Sequence, residues 1–201
     1  MTRTPQSPFG LFAIDHLLSE EERAIRDVVR EYVESEIKPN VADWFDAGRI
    51  PARELAKELG TLGVLGMHLE GYGCQGTSAV AYGLACLELE AGDSGIRSLV
   101  SVQDSLAMYA IWAFGSEEQK RQWLPRMAAG DAIGCFGLTE ADFGSNPSGM
   151  RTVAKKDGSD MGSTRLDRGV SGSLYATVGP GAALLSVPFV FLTIATFGVS
   201  P

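Results

Sequence analysis

Residues 19–38 carry two signals that point the same way. Ser19 stands three residues before Glu22, the spacing of a reciprocal helix cap in which a hydroxyl and a carboxylate each accept a backbone N–H. Behind it, Ile25, Val28, Val29, Tyr32, Val33 and Ile37 recur at steps of mostly three and four, which places them on one helical face, and Pro39 ends the run. So marked an amphipathic helix needs an apolar surface to cover it, and the following segments supply one. The spacing predicts a helix over about 51–59, with Pro51 in its first turn and Gly60 at its C-terminus. A second runs over about 78–91, with Val80, Leu84 and Leu87 on one face; its small residues Ala79, Ala81, Gly83 and Ala85 permit close approach of a neighbour. A longer apolar helix spans about 96–114. The last runs over 116–127, opened by a second cap (Ser116 with Gln119), bent at Pro125 and closed by Gly130.

The texture changes at Asp131. The stretch AIGCFGLTE has no helical period and reads as a strand entering a glycine-rich loop, residues 144–149. The expected organisation is therefore a helical domain over 1–133, the start of a β domain over 134–160, and a third stretch over 161–201. Residues 169–201 carry no charge and contain Pro180, Pro188 and Pro201, resembling neither the helical part nor an ordinary exposed sheet. The densest apolar run, Ala182 to Phe197, is short for a membrane span and is interrupted by Pro188. A membrane anchor is not expected there; an exposed, adhesive tail is.

Charge and cysteine usage narrow the function classes. The net charge is −8, which argues against nucleic acid as a partner, because phosphate binding needs a basic field. Cys74, Cys86 and Cys135 match neither a disulfide framework nor a zinc knuckle, and His16 and His68 stand alone. The N-terminus lacks the apolar core of a signal peptide and the Arg-rich face of a transit peptide. These features predict a cytoplasmic protein without a structural metal.

Two glycine-rich motifs remain. Gly71, Gly73 and Gly76 match a dinucleotide-binding fingerprint, which has a mechanism only between a strand and a helix of a βαβ unit. A helix precedes the motif and no βαβ series follows, so a loop between two helices is expected. The second motif, CFGLTEADFGSNPSGM over 135–150, offers a strand end, the Thr139 hydroxyl, the Glu140 carboxylate and a Gly-Ser turn. Backbone N–H groups at such a turn can face a phosphate or a ring edge.

The run from Gly137 to Pro147 resembles the signature of the acyl-CoA dehydrogenase family, Gly-hydrophobic-Thr-Glu-Pro-x-x-Gly-Ser-Asp. Ala141 stands in place of the usual proline and Asn146 in place of the aspartate. The resemblance extends back through FGSEEQKRQWLPRMAAGDAIGCFGLTE (114–140) and YGCQGTSAVAYGLACLELEAGDSGIRSLVSVQDSL (72–106) to about residue 9. It implies a mainly α fold: the N-terminal helical domain of that family, followed by the first part of its middle β domain, with the C-terminal helical domain absent. It also puts the 71–76 glycines on an interhelical loop.

Within the family, Asp93 to Ser101 resembles the segment of glutaryl-CoA dehydrogenases that meets the far carboxylate of the substrate. A guanidinium suits that role, since its planar fork holds a carboxylate and stays charged when desolvated. Arg97 would bind it, Ser98 and Ser101 would add hydroxyls, and Glu90, seven residues earlier, would hold Arg97. The plainer alternative is a solvated arginine near a helix start. The resemblance further implies FAD, lined by Phe136, Gly137, Leu138, Thr139, Glu140, Gly144 and Ser145. Leu138 and Thr139 would meet its pyrimidine edge, and Ser145 would sit where FAD meets acyl-CoA.

The implied reaction is removal of the α-proton by a carboxylate and hydride transfer from the β-carbon to flavin, with the enolate stabilised by hydrogen bonds. Glutaryl-CoA would then lose carbon dioxide to give crotonyl-CoA. Electrons would pass to an electron-transfer flavoprotein, and the complete enzyme would be a homo-oligomer. No position matches the family's catalytic glutamate, so the chain is expected to be truncated and inactive alone. After Asp160 the family continues Trp-x-Leu-x-Gly-Ser/Thr-Lys, whereas this chain reads MGSTRLDR. Reading one base later forces tryptophan across Met161 and Gly162, so a frameshift near 158–160 is the expected origin of the tail. The alternatives are a relative of other acyl specificity and a non-catalytic helical assembly module.

Overall fold

The first helix, α1 (Glu20–Tyr32), forms where the capping chemistry starts it. The Ser19 Oγ accepts the Glu22 N–H at 3.2 Å and a Glu22 carboxylate oxygen accepts the Ser19 N–H at 2.9 Å. The computed structural model describes residues 14–137, 142–143, 145–149, 154–157, 160–163, 182–187 and 190–196. Those residues belong to two units, Met1–Ile50 with Thr77–Arg97 and Pro51–Gly76 with Ser98–Pro201.

In the first unit, α1 runs into one π-helical turn (Val33–Ile37) and is followed by α2 (Val41–Ala47). Val29, Tyr32, Val33 and Ile37 are buried as their spacing predicts, but Val28 is half exposed and Arg26 is buried instead. Arg26 tolerates burial because Asp15 and Asp27 both pair with it. Against α1 lies α4 (Ala79–Gly92), capped by the Ser78 Oγ, which accepts the Ala81 N–H at 3.0 Å. Its buried face is Ala81, Leu84, Ala85, Glu88 and Leu89; Val80 and Leu87, which the sequence places on one face with Leu84, are exposed. Close approach depends on Ala81, Ala85 and Gly92 rather than on Gly83, which faces open space. A Cβ at Gly92 would come within 2.7 Å of Val33 Cγ1.

The second unit contains α3 (Ala52–Thr61), with Leu55, Ala56 and Leu59 buried, and a two-stranded hairpin of β1 (Glu70–Gly71) and β2 (Cys74–Gln75). Tyr72 and Gly73 form its tip with φ of 54° and 84°, the left-handed pair that a two-residue hairpin requires. The fingerprint glycines therefore shape a hairpin between two helices, and no β-α phosphate cradle forms. The long helix expected over 96–114 is continuous but changes pitch. Its first part, α5 (Ser94–Ser101), passes through π-helical turns at Val102–Met108 into α6 (Tyr109–Phe114).

Ser116 opens α7 (Glu117–Ala128) with the second capping box: Gln119 N to Ser116 Oγ is 3.2 Å and Ser116 N to Gln119 Oε1 is 2.9 Å. Ser116→Ala is expected to lower the stability of this unit by about 1 kcal/mol, read as a lower urea midpoint with unchanged slope. Pro125 does not end α7, which continues to Ala128. Gly130 then turns the chain with φ +71°, packed so closely on the Ala56 carbonyl that no Cβ fits. Leu69, Ala107, Met108, Ile111, Trp123, Leu124, Met127, Ala128 and Ala132 make the core of this unit.

The strand read from the sequence is β3 (Ala132–Gly137). It is followed by a hairpin of β4 (Ala154–Asp157) with β5 (Asp160–Ser163). The uncharged tail, which reads as neither helix nor ordinary sheet, contains β6 (Ala182–Val187) and β7 (Val190–Thr196). The two pair antiparallel, and β7 pairs antiparallel with β3, Ala132 opposite Thr196 and Gly137 opposite Phe191, giving the order β3-β7-β6. Val, Ile, Leu, Phe and Thr, in which these segments are rich, suit strands. Among the described residues no helix is long and apolar enough to cross a membrane.

Candidate functional site

Between α4 and α5 the chain breaks helical geometry at one residue. Asp93 is extended (φ −158°, ψ 128°), and its Oδ1 accepts the Ile96 N–H at 3.0 Å, which caps α5. A Cβ at Gly95 would approach that same oxygen to 2.9 Å, so the glycine keeps the cap open. This corner brings the last turn of α4 beside the first turn of α5. The Arg97 Nε donates to Glu90 Oε2 at 2.6 Å, and the Ser94 Oγ donates to Glu90 Oε1 at 2.8 Å.

Hydrogen bonding to Glu90 raises the Arg97 pKa further, and hydrogen bonding from Arg97, then Ser94, holds the Glu90 carboxyl below its ordinary range. Both groups thus stay charged through the physiological pH range. Both are substantially exposed, so the pair contributes little to stability. Its consequence is orientation: one end of the guanidinium is tied to α4. Further along α5, Ser98 and Ser101 are half-buried, and the Ser101 hydroxyl donates to the Ser98 carbonyl at 3.3 Å.

The segment read as flavin-binding begins on β3. Phe136 and Gly137 lie on that strand, opposite Leu192 and Phe191 of β7. Leu138, Thr139, Glu140 and Gly144 lie outside the described residues. Ser145 is exposed in a turn where the Asn146 N–H bonds to the Phe143 carbonyl at 3.1 Å and the Gly149 N–H to the Asn146 carbonyl at 3.0 Å. Among the described residues of this segment, the end of β3 and the exposed Ser145 hydroxyl offer neutral hydrogen-bonding groups, the kind that a ring edge takes. The structure brings Arg97 together with Glu90, and Ser98 with Ser101.

Two buried polar residues escape the periodicity argument. Gln103 and Asp104 are adjacent in the π-helical turns and are 1% and 0% exposed. The Gln103 Nε2 donates to the carbonyls of Met127 (3.1 Å) and Ala132 (2.8 Å), and its Oε1 accepts the Gly134 N–H (2.8 Å). The Asp104 Oδ1 accepts the Gly66 N–H at 2.8 Å, while Oδ2 has no hydrogen-bond partner among the described residues. Burial pushes the Asp104 carboxyl up to about 8 against the opposing pull of the Gly66 N–H. Burial, and then the nearby Asp104 carboxylate, pushes the Cys74 thiol up to about 11, which keeps it in the thiol form at neutral pH. A Gln-Asp pair inside a mostly apolar helical run is the available signal for both residues.

Residues 19–131 match the family model for the acyl-CoA dehydrogenase N-terminal domain. The bovine (Bos taurus) mitochondrial short-chain specific acyl-CoA dehydrogenase is 34% identical over 142 residues, covering 70% of this chain and 34% of the relative. A solved glutaryl-CoA dehydrogenase from Mycobacterium smegmatis superimposes with a TM-score of 0.74 at 51% identity, covering 94% of this chain and 55% of that one. A glutaryl-CoA dehydrogenase from the same organism in complex with FADH2 gives a TM-score of 0.72 at 46% identity, covering 96% and 56%. The chain thus spans about a third to just over half the length of these relatives.

Proposed function

The chain belongs to the acyl-CoA dehydrogenase family, and on that premise we propose that it is part of a FAD-dependent oxidoreductase that oxidises glutaryl-CoA and releases carbon dioxide to form crotonyl-CoA. The observation that supports glutaryl-CoA is Arg97, tied through Nε to Glu90 and so directed at a fixed angle from the start of α5. On this reading Arg97 meets the distal carboxylate, with Ser98 and Ser101 adding hydroxyls. The similarity to two glutaryl-CoA dehydrogenases supports the same assignment.

FAD, when bound, supplies the hydride acceptor. Phe136, Gly137, Leu138, Thr139, Glu140, Gly144 and Ser145 are the residues proposed to hold it, with Ser145 facing both cofactor and thioester. The helical domain is proposed to span 1–133 and the flavin-binding start of a β domain 134–160, with 161–201 outside the family pattern. The proton-abstracting carboxylate is proposed to come from outside these 201 residues, so that the chain alone is inactive. An electron-transfer flavoprotein is the proposed electron acceptor, a homo-oligomer the proposed assembly and the cytoplasm the proposed location.

The purified chain is expected to take up FAD, seen as flavin absorption bands that survive gel filtration; a chain that stays colourless after titration with FAD counts against the cofactor assignment. Arg97→Ala is expected to weaken glutaryl-CoA binding severalfold, through loss of a charge-assisted hydrogen bond, while butyryl-CoA binding is unchanged. Equal effects on both thioesters would favour a second reading, another acyl specificity such as a short-chain acyl group, which the identity to the bovine short-chain specific enzyme supports.

A further inference from the structure

We propose that Gln103 is a positioning residue: its carboxamide acts as a stand-in strand along one edge of β3 and sets the register of that strand, which carries Phe136 and Gly137. The consequence for cofactor binding rests on the flavin assignment made above.

The Gln103 bonds follow the pattern of a sheet. The Ala132 carbonyl and the Gly134 N–H are two residues apart and face the same edge of β3. A residue of a parallel neighbouring strand would donate to the first and accept from the second. Gln103 does both, Nε2 to Ala132 O at 2.8 Å and Gly134 N to Oε1 at 2.8 Å. Its other Nε2 proton goes to the Met127 carbonyl at 3.1 Å, near the end of α7. One side chain thus ties the helix end, the turn after it and the first residues of the strand.

Two features let it reach. The π-helical turns at Val102–Met108 bury the consecutive residues Gln103 and Asp104 together, Gln103 on β3 and Asp104 on Gly66. Gly134 admits the close approach, because a Cβ there would run into Ala107 Cβ and Met127 Cε. With β7 holding one edge and Gln103 the start of the other, a one-residue slip of β3 is blocked at its first turn. Such a slip would send every following side chain to the opposite face.

The test uses the full chain, with Gln103→Met and Gln103→Glu beside wild type. Methionine matches the volume and removes all three bonds. Glutamic acid, protonated in so buried a place, keeps the acceptor for Gly134 and one donor. Backbone hydrogen exchange is measured over 132–137 and over α1, and FAD affinity by quenching of flavin fluorescence. Gln103→Met is expected to speed exchange in 132–137 by about tenfold or more while α1 exchanges as in wild type. FAD affinity is expected to fall by about tenfold or more, with Gln103→Glu between the two. Unchanged strand exchange in Gln103→Met overturns the proposal, and so does faster exchange with undiminished FAD affinity. Should Gln103→Met fail to fold, Gln103→Glu decides by the same two readouts. A wild-type chain that takes up no FAD overturns the flavin assignment instead, and the exchange rates alone then decide whether Gln103 holds the strand.

Discussion

In urea unfolding followed across pH, Asp104→Asn is expected to gain on wild type as the pH rises from about 4 to about 8, and to hold that advantage above it. The cause is burial. Asp104 is fully inaccessible, with one carboxylate oxygen on the Gly66 N–H and the other without a partner among the described residues, so the folded protein keeps it neutral up to about pH 8. An unfolded chain ionises the same group near pH 3.9. Below that value both states are protonated and Asp104 confers its full stability. Between the two values only the unfolded state ionises, and folding loses stability with each pH unit. Above about 8 both are ionised and the loss is complete, on the order of 5 kcal/mol. Asparagine keeps the acceptor for Gly66 and does not titrate, so its difference from wild type isolates this one group. Parallel curves for the two proteins would mean that Asp104 is ionised in the folded state and has a partner that the geometry does not show.

Local chemistry was the legible part of this chain. Ser19 with Glu22 and Ser116 with Gln119 each act within a single turn, and both caps form as their spacing requires. The Arg97–Glu90 pair was also readable, because seven residues are two helical turns and the corner at Asp93 preserves that proximity. Helix α2 left no signal, since it buries no residue and so has no apolar period. The π-helical turns were hidden for a different reason. They bury Gln103 and Asp104, whose partners Gly66, Met127, Ala132 and Gly134 lie 24 to 38 residues away. No pattern confined to a helix encodes such partners. Val28 and Arg26 exchanged places for the same reason: Asp15, outside α1, makes burial of the arginine tolerable.

The other large effect is expected where α1 and α4 are joined by a pair 58 residues apart in sequence. The Arg30 guanidinium grips Glu88 with two donors, Nε to Oε2 at 3.0 Å and Nη2 to Oε1 at 2.6 Å. Bonding to Glu88 is also the main cause that raises the Arg30 pKa. The Glu88 side chain is only 9% exposed, whereas Arg30 keeps about a third of its surface in water. The asymmetry decides which partner is costlier to remove. Arg30→Met retains much of the aliphatic stem but strands a buried carboxylate, and a loss of about 3 kcal/mol is expected. Glu88→Leu in the same chain removes that stranded charge, so the double variant is expected to recover most of the loss. Recovery matters for the site as well. Two residues along α4 is about 200° of helical rotation, so burying Glu88 against α1 turns Glu90 outward to where Arg97 meets it. The double variant, with an apolar contact in place of the ion pair, should therefore still orient Glu90 and keep the difference between glutaryl-CoA and butyryl-CoA binding. A double variant that regains its urea midpoint but loses that difference would show that the bidentate pair sets the rotation of α4; one that keeps it would show that burial alone does.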